Sequence, residues 1–280
     1  MLQLRNYRAC SLAFAILVLA AADGGRTAVC AGDGSAPSPP KPAAPDGVGS
    51  REFWIGADAG LNNWLVYTGG TYALWSDIHA DGFRLRATSG YGGYSYDFDA
   101  KTKVRVTKTY SDILVGYQQR FGELTAKAFI GYALLNQQFD VPSASLHVAK
   151  FDTGLKGAVE LWLNFGPSAW TSLDANYADT RQSWSIRSRI GYRVLPTLSA
   201  GAEGVFNHTD LSGFVQQAAG VRLQGNTRVG GFVRYEWFGG EISASGGLSG
   251  DWVDSQARHG GTDLLHTPGV YGTLNWITQF

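Results

Sequence analysis

Charge, sulfur and long apolar runs are all scarce in this chain, and each scarcity removes a class of protein. Of 280 residues only 16% are charged, and 23 basic residues balance 23 acidic ones to a formal net charge of zero. No Lys/Arg-rich tract stands out, so the basic footprint that neutralises phosphates is missing and nucleic-acid binding is discarded. Two cysteines, Cys10 and Cys30, cannot build a disulfide framework, a zinc site or a CxxC redox pair. Beyond residue 25 no stretch is long and apolar enough for a membrane-spanning helix. Segments of helical period are missing too, which argues against parallel βαβ folds. GxSxG, HxxxH, ExxH and DxDxDG patterns do not occur, so the sequence offers neither a nucleophile elbow nor a short metal-ligand motif. No cofactor is implied.

Glycine and aromatics are what the chain has in quantity: 37 glycines, and 13% Phe, Trp and Tyr. A charge-poor, Gly-rich, aromatic-rich chain is unusual for a soluble domain. Transmembrane barrels hide their apolar residues from hydropathy plots by alternation. The first 22 residues combine a basic start (Arg5, Arg8), an apolar core from Leu12 to Ala22 and the small-residue ending Ala20-Ala21-Ala22. That is the build of a secretory signal peptide, too short to span a bilayer, with cleavage expected after Ala22 and Ala31 as the alternative. Cys30 follows Thr27-Ala28-Val29, which lacks the pattern of a lipoprotein acceptor. Residues 23–50 are rich in Gly, Ala, Ser and Pro, with Pro37, Pro39, Pro40, Pro42 and Pro45 close together; such a stretch buries no core and reads as an extended linker.

From residue 51 to 280 the period changes to two, and a single domain is expected. Phe83, Leu85 and Ala87 fall on one face while Arg84, Arg86 and Thr88 fall on the other, as successive side chains of a strand do. The same texture recurs near 52–61, 64–75, 83–94, 104–119, 124–135, 148–165, 169–178, 182–194, 198–206, 223–237, 241–250 and 269–280. Twelve strands are expected, with ten or fourteen as alternatives, in an antiparallel up-and-down transmembrane β-barrel of the all-β class. Asp81-Gly82, Phe121-Gly122, Gly166-Pro167, Pro196-Thr197 and Gly239-Gly240 mark the tight reversals. Long connectors alternate with short ones, notably 95–103, 136–147, 207–222 and 251–268, which is the outer-membrane arrangement. Asn62-Asn63 departs from it, being short on the long-loop side. Gly213 to Arg222 is placed in a long loop, since a thirteenth strand would break the even count.

The chain closes by alternating to Phe280, the expected assembly signal of an outer-membrane barrel. With Phe280 facing lipid, the outward face holds residues such as Leu85, Val115, Ile130, Leu155, Ile190 and Leu274. The inward face then collects charges of both signs, including Arg84, Arg86, Lys156, Glu160, Arg187, Arg189, Arg193, Glu203 and Arg228. On the lipid face each basic residue would cost about 2 to 4 kcal/mol at the midplane, so the assignment of faces is forced by energy. A soluble β-sandwich does not account for so wide an apolar face opposite so many charges.

Arg187, Arg189 and Arg193 form an every-second-residue ladder, and Glu203 on the next strand falls in register to meet it. The charges are expected to pair across the lumen and hold strands together; the functional alternative is a lining that steers polar solutes. Trp54, Trp162 and Trp170 also face inward, where they could stack a sugar chain or simply pack. Of five histidines, His208, followed by Thr209-Asp210, is the least poor candidate for hydrolytic chemistry.

The order of YTGGTYAL (Tyr67 to Leu74), DGFRLR (Asp81 to Arg86), GYGGYSY (Gly90 to Tyr96), SDILVGYQ (Ser111 to Gln118), DTGLKGAVELW (Asp152 to Trp162), RSRIGYR (Arg187 to Arg193) and RVGGF (Arg228 to Phe232) resembles the cellulose biosynthesis protein BcsS family of alphaproteobacteria. Ala202 stands where a Gly-Pro-Glu would have proline, leaving Glu203 as the matched position. The resemblance implies an outer-membrane protein accessory to making, exporting or anchoring cellulose, with outer-membrane lipid, cellulose and cellulose-synthase or export components as partners. It transfers no catalytic residues. Two other functions remain open at this stage: a small porin, from the charged inward face, and an outer-membrane lipid hydrolase, from His208.

Overall fold

Alternation of side chains does set the architecture. The computed structural model describes residues 49–97, 103–141, 146–208, 226–250 and 269–280. They form twelve strands: β1 (Arg51–Gly60), β2 (Asn63–Ala73), β3 (Gly82–Asp97), β4 (Lys103–Phe121), β5 (Leu124–Val141), β6 (Leu146–Phe165), β7 (Ala169–Ala178), β8 (Ser183–Leu195), β9 (Leu198–His208), β10 (Asn226–Trp237), β11 (Gly240–Gly250) and β12 (Gly269–Gln279). A short 3-10 turn, Thr180–Gln182, joins β7 to β8. Each strand pairs antiparallel with its sequence neighbours, and β1 closes on β12 with Glu52 opposite Gln279 and Gly60 opposite Tyr271. The terminal residue is sewn in as well: the Arg51 amide donates to the Phe280 carbonyl at 3.0 Å and the Phe280 amide to the Arg51 carbonyl at 2.9 Å. Closure leaves no edge strand, which is what a sheet in hydrocarbon requires.

Both ends of the barrel sequence meet at one rim, here the terminal rim. Three of its reversals are tight at glycine, with φ of +61° at Gly122, +64° at Gly166 and +77° at Gly239. That left-handed region carries little penalty for glycine and a steric one for most other residues. The tight reversal expected at Asp81-Gly82 is a correction, since residues 74–81 stand between β2 and β3. At the opposite, loop rim, the expected long connector 136–147 is a correction. β5 runs on to Val141 and β6 begins at Leu146, so only 142–145 separate them. The reason is an inversion of polarity. Arg105, Asn136 and Gln138 now point outward while Val104, Val106 and Phe139 are buried inside with Tyr94, Val141 and Val148. β3 to β6 have 16 to 20 residues, whereas about 9–11 suffice to cross a bilayer, so this part of the wall stands above the lipid. The expected signal peptide, the expected linker as far as residue 48, Gly213 to Arg222, Thr209-Asp210, His259 and His266 lie outside the described residues.

The outer surface is banded. Aliphatic side chains including Leu85, Val115, Ile130, Leu155, Ile190, Val233 and Leu274 are exposed around the waist. Near the loop rim they give way to Trp64, Tyr91, Phe151, Tyr177 and Trp184, and near the terminal rim to Phe83, Tyr117, Phe165, Tyr192, Phe238 and Phe280. Edge-to-face pairs occur in both belts, Trp64 with Tyr91 at 5.3 Å and Phe83 with Tyr117 at 5.1 Å. An apolar band between two aromatic girdles is the lipid-facing surface of a transmembrane barrel.

Candidate functional site

The lumen is built in layers, and the lowest comes from a connector. Residues 74–81, between β2 and β3, fold against inward side chains at the terminal rim. Arg84 donates to the carbonyls of Asp77 (3.1 Å), Ile78 (3.3 Å) and Ala80 and to Ser76 Oγ (2.9 Å). Gln118 donates to the Ala80 carbonyl at 3.1 Å and Arg120 to that of His79 at 2.8 Å. Arg84 is thus a clamp on backbone carbonyls, while Arg86, Lys156, Arg187, Arg189 and Arg228 meet carboxylates. Burial, only partly offset by Asp77 and Glu52, holds the His79 imidazole below its ordinary pKa.

Above the connector, Trp162 from β6 and Trp170 from β7 stack at 4.2 Å between ring centres, both 1% exposed. Phe232 from β10 lies 5.4 Å from Trp170, and the Arg234 guanidinium sits 4.7 Å and 5.3 Å from the two indoles. Arg234 is itself ion-paired with Glu236 (2.9 Å) and Glu241. The expected inward Trp pair is therefore in place, with its faces taken by one another and by Arg234. Arg193, on the same strand as the Arg187 and Arg189 ladder, turns away from it to Asn164 Oδ1 (3.0 Å) and the Pro167 carbonyl (2.9 Å).

The next layer crosses the lumen. Arg86 of β3 reaches Glu160 of β6, which also holds Lys127 at 3.3 Å. The Arg86 guanidinium lies 3.9 Å from the Phe129 ring centre and 5.4 Å from that of Trp54. On the opposite wall Glu203 binds Arg187 at 2.8 Å and Arg189 at 3.0 Å and accepts a hydrogen bond from the Tyr271 hydroxyl at 2.8 Å. Higher still, Lys156 meets Asp112 at 2.6 Å and Arg228 meets Asp58. Above the Arg86 layer the lumen widens into a cavity of about 750 Å³ that extends to Asn62, Gly250 and Gly269 at the loop rim.

Register arithmetic along neighbouring strands found the Glu203 cluster in the sequence, because Arg189 and Glu203 are directly opposed. It missed Asp58 as the partner of Arg228. Their strands, β1 and β10, are separated by β11 and β12, so the pair exists only after closure. His147, expected at a connector, lies in β6 facing Asp140 across the ladder. His208 closes β9, and its side chain lies outside the described residues.

A closed antiparallel barrel with an apolar belt outside and paired charges inside is a transmembrane β-barrel of the outer-membrane type. The chain belongs to the cellulose biosynthesis protein BcsS family, whose model matches residues 53–280, nearly the whole barrel. No curated protein matches it. Among solved structures it is similar to the KdgM porin in complex with disordered oligogalacturonate (10% identity, 82% of this chain and 99% of that one, TM-score 0.45). It is also similar to the translocator domain of the autotransporter NalP from Neisseria meningitidis (11%, 84% and 90%, 0.45) and to the TodX deltaS2S3 mutant monoaromatic hydrocarbon channel (10%, 84% and 90%, 0.49). These likenesses are distant, and nothing of what those proteins carry transfers to this chain.

Proposed function

We propose that this protein is a non-enzymatic outer-membrane barrel that assists the synthesis, export or anchoring of cellulose or a related exopolysaccharide at the bacterial surface. The observation that carries the reading is the family match over residues 53–280. Outer-membrane lipid surrounds the apolar belt, and cellulose or components of its synthase and export machinery are the partners. On this reading the segment 1–22 is removed on export and Phe280 signals assembly. The interior charges support a structural role, because those of the Arg86, Glu203, Lys156 and Arg228 clusters meet opposite charges. Deleting the gene under cellulose-producing conditions is the test: a changed amount or architecture of extracellular cellulose is expected, and unchanged cellulose would sink the proposal.

The charged lumen and its cavity favour a second reading, a small channel for polar solutes. Reproducible conductance of the refolded protein in planar bilayers would support it. A lipid hydrolase has only His208 and its polar neighbours behind it, and turnover of phospholipid or lipopolysaccharide by purified protein would be needed to revive it.

A further inference from the structure

The cavity in the upper lumen combines three properties. First, among the described residues its lining is balanced in charge. Arg86, Lys108, Lys156, Arg187 and Arg228 supply five positive charges. Asp58, Asp112, Glu160, Asp174 and Glu203 supply five negative ones. A lining balanced in this way attracts neither anions nor cations as a class, unlike the one-signed rings that select ions. Second, it offers buried acceptors that protein donors leave over. Asp112 is 3% exposed; its Oδ2 takes Lys156, while Oδ1 has no hydrogen-bond partner among the described residues. Asp58 Oδ1 and Gln137 Oε1, which line the same cavity, are likewise buried without a partner among the described residues. Such atoms are costly unless something donates to them. Tyr67 and Tyr110 stand among them, supplying apolar rings. Third, the cavity stops. Arg86, Glu160 and Trp54 line its floor, and Trp162, Trp170, Arg234 and Gln118 beneath them are buried and do not line it.

We infer that the upper lumen is a blind cup, entered from the loop rim, that binds a neutral polyhydroxyl ligand, namely a segment of uncharged glycan. Hydroxyl groups donate to the spare carboxylate oxygens and accept from the cationic partners, and the sugar's apolar face has tyrosine rings to lie on. At about 750 Å³ the cup falls within the range of roughly 300–1,000 Å³ typical of small-ligand sites. The ligand class rests on the proposed exopolysaccharide role; the closed floor means that a chain would be held from outside and not threaded through.

The test uses the full-length protein refolded in detergent, with its barrel checked by a heat-dependent gel shift. Calorimetric titration compares cellohexaose with an oligogalacturonate and a chitosan oligomer of equal length. Saturable binding of cellohexaose is expected, with the two charged oligomers weaker by about ten-fold, one lost hydrogen bond's worth of affinity. Asp112→Asn should weaken cellohexaose by a similar factor and shift preference toward oligogalacturonate. Asp58→Asn reads the same cavity should the first variant fail to assemble. Absence of saturable cellohexaose binding to the folded wild type, oligogalacturonate bound as tightly, or a folded Asp112→Asn barrel of unchanged affinity would each overturn the inference. Steady ion conductance in planar bilayers would overturn the blind floor. Failure here while gene deletion still alters cellulose removes the cup and leaves the proposed function standing; intact binding without a deletion phenotype does the reverse.

Discussion

Glu203 ties three strands together with one carboxylate: Arg187 and Arg189 of β8, its own β9, and Tyr271 of β12. Removing one partner of a buried ion cluster leaves the rest desolvated and unpaired, a loss of about 3–5 kcal/mol. Glu203→Gln should lower barrel stability by that order, read as a fall in the urea midpoint of the refolded protein. Gly191 shows a different constraint. A Cβ placed there would lie 2.4 Å from the Trp170 indole, so the ring rests directly on the backbone of the neighbouring strand. Gly191→Val is expected to push Trp170 off Trp162 at a cost of about 1–3 kcal/mol. Loss of the exciton signal of the indole pair in near-ultraviolet circular dichroism would report it, and an unaltered signal would contradict the packing described.

Among the connectors, 74–81 has the most defined role. It is held at the terminal rim by Arg84, Gln118 and Arg120 acting on its carbonyls. Because burial depresses the His79 pKa below 6.5 in the docked state, the undocked segment binds a proton more readily. Docking is therefore unpenalised above pH 6.5 and loses stability as pH falls through 6.5 toward the lower, docked value. Hydrogen exchange of the amides in this segment should quicken between pH 7.5 and pH 5 after correction for intrinsic rates. His79→Gln should flatten that response, and an equal response in the variant would show that another group titrates. In β3 to β6 the inversion of polarity beyond the membrane makes one part of the wall resemble a soluble sheet, carrying the cup's edge above the lipid.

Across the whole molecule the energetics depend on which face meets hydrocarbon. Ile190 lies in the exposed aliphatic waist, so Ile190→Arg should cost about 2–4 kcal/mol near the midplane. Urea titration in lipid vesicles measures it, and a cost near zero would mean that the waist is not in lipid. Opposed to that belt is an interior of paired charges and stacked indoles below a cavity at the loop rim.

Much of this was legible in the chain. Period-two alternation placed twelve strands, glycines marked the reversals at 122, 166 and 239, and the separation of apolar from charged positions assigned the faces of the membrane-spanning parts, because these depend on neighbours in sequence. The Arg189 and Glu203 pairing was legible for the same reason, a hairpin register of a few residues. Closure decided the remainder. Arg228 with Asp58 and Arg86 with Glu160 join strands that are not adjacent, so their meeting depends on how the sheet wraps and not on any local pattern. The continuation of β5 and β6 through 136–141 and 146–147 was hidden because the faces exchange polarity once the wall leaves the lipid. Sequence alone determined that the chain must be a barrel with charges inside. Only the tertiary structure decided that those charges would meet across the lumen and leave a cavity above a layer of buried side chains, since the distances involved are set by the barrel's curvature.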